Sequence, residues 1–260
     1  MTSAQAHPRV ARFLTPSARA ALGQPPAVTA LTLTVLGWGL VLATATGPTA
    51  LQLCFAAGTQ TSAAFTTNLA LAWAVFDPLR AALDWVAMVA AMMGLLLIAP
   101  LTHIRTRSLT QTRAGASTLF LLGYGVVWAV TGLIAVPTLL VAGAALSTLN
   151  LAGAGAAFGL ILAALWQLSP AKTIAARRCH WRPPLRITAP YASSFAYGLT
   201  YGRRCATSCA PLMVPPMLGG HAPLTLAMIL LILLHERSVL RPAFTGTALL
   251  LTFLAAMSAV

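Results

Sequence analysis

Acidic residues are almost missing from this chain. Only Asp77, Asp84 and Glu236 occur among its 260 residues, and charged residues of both signs make up 7%. A soluble domain carries about 25%. So few carboxylates exclude paired-carboxylate hydrolysis and hard-cation sites built from acidic oxygens, because both need several acids in one place. A Walker loop, a Gly-x-Ser-x-Gly elbow and a His-Glu-x-x-His pair are also absent. Nothing points to a hydrolase or a nucleotide-driven pump, and the expectation is that the protein is not an enzyme.

Apolar residues fill the space that charge leaves. The chain is 58% hydrophobic with a mean hydropathy of +0.84. Several runs of about 18 or more residues carry no charge, the length a helix needs to cross a bilayer. The fold class expected is all-α, a polytopic transmembrane helical bundle. About seven spans are expected, near 28–46, 81–101, 116–136, 144–168, 192–218, 221–235 and 243–260, or six if 222–235 does not cross. A tight turn near Pro137 would join the third and fourth. Residues 1–27 end in Gly-Gln-Pro-Pro and read as a flexible cytoplasmic lead-in, with 28–260 a single transmembrane domain. Ala43-Thr44-Ala45 imitates a signal-peptidase site, but the long basic lead-in and the membrane-length run favour an uncleaved anchor. Residues 48–80 read as an extramembrane segment with a short interfacial helix anchored by Trp73.

The net charge of +13 comes from sixteen lysines and arginines. They gather in the N-terminal segment and in 102–114, 169–190 and 236–242, between apolar runs. Seven spans put all four on one side, which the positive-inside bias makes cytoplasmic, N-terminus included. No basic stripe is interleaved with aromatics at regular spacing. The expected partner is therefore the lipid bilayer, and no nucleic acid is expected.

Soft-metal ligand types recur at 205–221, where Cys205, Cys209, Met213, Met217 and His221 stand four residues apart. Four-residue steps drift only about 40° around a helix, so Cys205, Cys209 and Met213 would share a face. Pro211, Pro215 and Pro216 break the later regularity, and Met217 and His221 lie beyond the first of them. Thiolates and thioethers select soft cations, Cu(I) above all. Cysteine and methionine also serve as adaptable packing in a membrane helix, and two cysteines one turn apart could cycle between dithiol and disulfide. Met88 and Met92 share a face in the second span, with Met93 adjacent and Asp84 one turn earlier. They would complete the shell if the two spans face each other. Asp84 or Asp77 would otherwise neutralise Arg203 or Arg204. Cys179 and His180 sit together in the most basic loop, either as part of a solvated surface or as a transient metal entry point.

Four motifs occur in order along the chain. They are Trp85, Met88, Ala91, Met92 and Met93; Gly123, Tyr124 and Trp128; Trp166, Gln167, Pro170, Lys172, Arg178 and Cys179; and Gly198, Gly202, Cys205, Cys209, Leu212 and Met213. In this set the chain resembles a bacterial family of predicted metal-binding integral membrane proteins, which includes the membrane copper chaperone of a tyrosinase-type polyphenol oxidase. Departures from the family pattern fall at Gly94, Ala175, Ser208, Ala210 and around Gly219, Gly220 and His221, and they leave fewer thiols. The resemblance implies a multi-pass protein of the bacterial cytoplasmic membrane that binds Cu(I) and delivers it to a copper-dependent enzyme or exchanges it with a soluble carrier. Cys205, Cys209 and Met213 are then the leading ligands, with Met88, Met92 or His221 completing the set. Cys179, His180, Asp84, Met93 and Met217 are accessory candidates. A membrane thiol redox protein using Cys205 and Cys209, and a metal-free scaffold or transport subunit, are the alternatives.

Overall fold

The computed structural model describes residues 24–44, 65–149, 154–179, 182–186, 188–218, 222–238 and 244–258. Every element among them is helical. In order they are α1 (Pro25–Thr44), α2 (Phe65–Ala74), α3 (Pro78–Met93), α4 (Ile98–Arg107), α5 (Arg113–Thr148), α6 (Gly155–Leu168), α7 (Pro170–Arg178), α8 (Pro190–Cys209), α9 (Val214–Leu218), α10 (Pro223–Ser238) and α11 (Phe244–Ser258). Short 3-10 turns at Leu95–Leu97 and Ala210–Met213 join α3 to α4 and α8 to α9.

Proline decides several boundaries. Pro25 and Pro26 open α1 instead of closing a lead-in, since the first helical turn has no use for the missing N–H. Pro78, Pro170 and Pro190 do the same for α3, α7 and α8. Pro137 is the exception, and it corrects the expected turn: it lies inside α5, which runs unbroken for 36 residues. One lost hydrogen bond costs an apolar helix less than a break that would bare several backbone groups to hydrocarbon. The expected spans 116–136 and 144–168 are thus redivided into α5 and the separate α6.

Among the described residues two helices, α1 and α5, are long and apolar enough to cross a membrane, and up to four crossings result if each of two bent pairs counts as one. The α3–α4 pair bends by 53° and the α6–α7 pair by 74°. Seven or six crossings go beyond what these lengths support. At 1.5 Å per residue, α10 and α11 reach about 22–24 Å against a hydrocarbon core of about 30 Å. The 20 residues of α8 are diluted by Tyr, Ser, Thr, Gly and two arginines. By the same arithmetic α5 is about 54 Å long, more than a hydrocarbon core is thick. Large apolar side chains such as Leu36, Leu133, Ile134, Leu224, Leu249 and Phe253 are exposed, a distribution that suits lipid and not water.

The largest helix–helix interface joins α5 to α8. Gly123 and Gly198 make it close: a Cβ on Gly123 would strike the Phe195 carbonyl, and one on Gly198 the Phe120 carbonyl. Small residues allow such an approach where van der Waals contact drives association. Phe120 and Tyr124 on α5 meet Tyr197 and Tyr201 on α8, with ring centroids 5.1–6.0 Å apart, and Trp128 extends the layer beside Tyr124 at 6.2 Å. Helix α3 stands at one end of this aromatic layer, where the Trp85 indole donates to the Trp128 carbonyl at 2.9 Å.

Candidate metal centre

The aromatic stripe of α8 continues into sulfur. Tyr197, Tyr201, Cys205 and Cys209 follow one another at four-residue steps and are all buried. One helix face therefore carries two rings and then two thiols. The Cys205 and Cys209 thiols stand one helical turn apart, close enough to interact electrostatically. Across the interface, Met93 Sδ lies 3.7 Å from Cys205 Sγ, while the Tyr124 hydroxyl donates to the same sulfur at 3.5 Å. From α10, Arg237 donates an N–H to it at 3.6 Å. Cys205 is thus the hub at which α3, α5, α8 and α10 meet.

Met93 takes this place because it ends α3 just before the bend at Gly94. Met88 and Met92 are fully buried on the same helix, in the same core as the cysteines. Met213 departs from the expected face for a backbone reason. Pro211 ends the α-helix at Cys209, and Met213 follows in the 3-10 turn. Met213 and Met217 instead line an open apolar groove of about 690 Å³ between α5 and α8, which the exposed Arg203 also borders. His221 and His180 lie outside the described residues.

Cys179 closes α7 beside the pair. Its thiol donates to the Arg204 carbonyl at 3.1 Å, and burial raises it above the usual thiol pKa. Arg204 itself donates to the Arg178 carbonyl at 3.2 Å. Asp84 is buried on α3. Asp77 serves as a helix cap: its carboxylate caps α3 and accepts from the amides of Leu79 at 2.9 Å and Arg80 at 3.1 Å.

The buried ion pair of the described residues was not foreseen. Lys172 Nζ lies 2.7 Å from Glu236 Oε2, and Gln167 donates to Oε1 at 2.6 Å. Lys172 also donates to the Ser208 carbonyl at 3.1 Å, which accepts from the Trp166 indole at 3.2 Å as well. The carbonyls of a helix's last turn lack intrahelical partners, so α6 and α7 satisfy the one beside Cys209. Trp166 and Lys172 therefore clamp the end of the thiol-bearing helix, and Gln167 and Lys172 tie Glu236 of α10 to it. Two signals in the sequence pointed this way: Glu236 is the sole acid after residue 84, and a buried acid needs a partner.

The cluster is two free thiols with one thioether, and Cys179 is a third free thiol nearby. Among the described residues no three of His, Cys, Asp and Glu come together as a metal site. Hard cations and tetrahedral zinc find no complete set here, whereas two thiols and a thioether suit a soft monovalent ion. Residues 82–259 match the family described as PpoB2, copper chaperone. The chain belongs to this family. That match covers more than half of the chain and includes every member of the sulfur cluster and its clamp. No curated protein and no solved structure matches the chain.

Proposed function

We propose that the protein is an integral membrane copper chaperone that holds Cu(I) between the Cys205 and Cys209 thiolates and the Met93 thioether, and hands it to a copper-dependent enzyme. The observation that supports the reading is the 3.7 Å contact between Cys205 Sγ and Met93 Sδ, buried beside the aromatic layer. Binding would replace two thiol protons by one cuprous ion, with the protons leaving to water or to the donor. Cys179, at the end of α7 and next to the basic loop, is the thiol through which the ion enters. The basic ends of α7 and α10 converge on the cluster, which in a positive-inside orientation puts the loading end at the cytoplasmic face. Met88 and Met92 serve as packing in this reading, and Met213 and Met217 as the wall of the groove.

The test is copper stoichiometry of the reduced, purified protein, compared with a Cys205→Ser/Cys209→Ser variant and with Met93→Leu. The expected result is one tightly held ion per chain in the parent, none in the double variant and weakened retention in Met93→Leu. Equal copper in the parent and the double variant would contradict the ligand set.

A further inference from the structure

Among the described residues Arg237 is the charged side chain that hydrogen-bonds to the thiol pair, and the proposed ligands leave it without a chemical role. Its guanidinium donates to Cys205 Sγ at 3.6 Å and lies over the Tyr201 ring at 5.8 Å. Lys172 and Glu236 also act on Cys209, and they form an ion pair with each other at 2.7 Å that is formally neutral. Cys179 adds a thiol and no formal charge.

The charge balance follows from the ligand set, and the inference rests on that reading. Two thiolates and one Cu(I) sum to −1, the thioether contributes nothing, and Arg237 restores zero. A divalent ion between the same thiolates is already neutral, so the guanidinium leaves it at +1. Net charge is costly in a buried, low-dielectric site, and the cost falls on whichever ion leaves the site charged. Arginine holds its proton under all ordinary conditions, so this offset is permanent, which a buried lysine would not guarantee. We infer that Arg237 is the charge counterpart of the site, and that it makes the thiol pair select monovalent soft cations over divalent ones.

The test uses the full-length protein in detergent under reducing conditions. Competition titrations with chelators give affinities for Cu(I) and, separately, for Cd(II). The variants are Arg237→Gln, Arg237→Lys and Cys205→Ser/Cys209→Ser. Arg237→Met keeps the apolar stem over Tyr201 and carries the test if Arg237→Gln does not purify folded. Loss of an outer partner of a metal ligand costs about 10–100-fold in affinity, and that loss is expected for Cu(I) in Arg237→Gln and Arg237→Met. Cd(II) affinity should hold or rise in the same variants, and Arg237→Lys should stay near the parent for both ions. Equal weakening of both ions in all the Arg237 variants would reduce Arg237 to a packing residue and overturn the inference. So would Cu(I) affinity within threefold of the parent in Arg237→Gln. In either case copper lost only from the double cysteine variant would leave the proposed function standing, whereas copper retained by that variant would remove the thiolate pair and both readings together.

Discussion

Replacing Lys172 by Met, a near-isosteric apolar residue, should be among the most damaging single changes in the chain. Lys172 is fully buried and its ammonium lies 2.7 Å from Glu236 Oε2. At an effective dielectric constant of about 20, that separation gives a gross attraction of about 6 kcal/mol, much of it offset by desolvation. What remains after truncation is a buried carboxylate with Gln167 as its hydrogen-bond donor, a situation that costs about 3–5 kcal/mol. The Ser208 carbonyl would also lose one of its two donors. At about 2–4 °C per kcal/mol for a chain of this size, the thermal midpoint should fall by about 6–20 °C. The assay is thermal unfolding followed by far-ultraviolet circular dichroism in detergent, for Lys172→Met, Glu236→Leu and the double variant. The double variant buries no unpaired charge, so it should recover most of the loss. A single variant that melts within about 2 °C of the parent, or a double variant whose loss equals the sum of the singles, would refute the claim that this pair is a coupled, buried unit.

Met93→Leu should weaken Cu(I) retention by about tenfold or more, while Met88→Leu and Met92→Leu change it by less than about threefold, as read by competition with a Cu(I) chelator. Gly198→Ala should force α5 from α8 and cost about 1–3 kcal/mol in a melting experiment, whereas Gly125→Ala, which faces open space on the same α5, should be nearly neutral. Tyr124→Phe removes a buried O–H donor from Cys205 and should cost about 0.5–1.5 kcal/mol of stability by the same assay.

Some of this architecture is legible in the residues themselves. The four-residue spacing of Cys205 and Cys209, set in a helix with Gly198 and Gly202, does produce one face on which two thiols neighbour each other. The same rule fails at Met213 because Pro211 ends the helix first, and a proline's local effect can be anticipated without knowing where the chain goes next. The choice among Met88, Met92 and Met93 is harder. All three are buried, and only the bend at Gly94 and the packing of α3 on α5 bring Met93 to the cysteine. Pro137 misleads because a helix breaker in water is tolerated inside an apolar helix. Lys172 and Arg237 sit in stretches that read as loop charge. The burial of Lys172 and the partial burial of Arg237 depend on α7 folding back by 74° and on where α10 ends, and both of these are tertiary facts.

The central claim is that sulfur alone holds the copper. Copper-edge X-ray absorption on the reduced, Cu(I)-loaded protein tests it most directly, with Met93→Leu measured alongside. The expected spectrum is that of Cu(I) surrounded by three sulfur atoms, falling to two in Met93→Leu. A shell dominated by nitrogen or oxygen, or one that is unchanged in Met93→Leu, would contradict it.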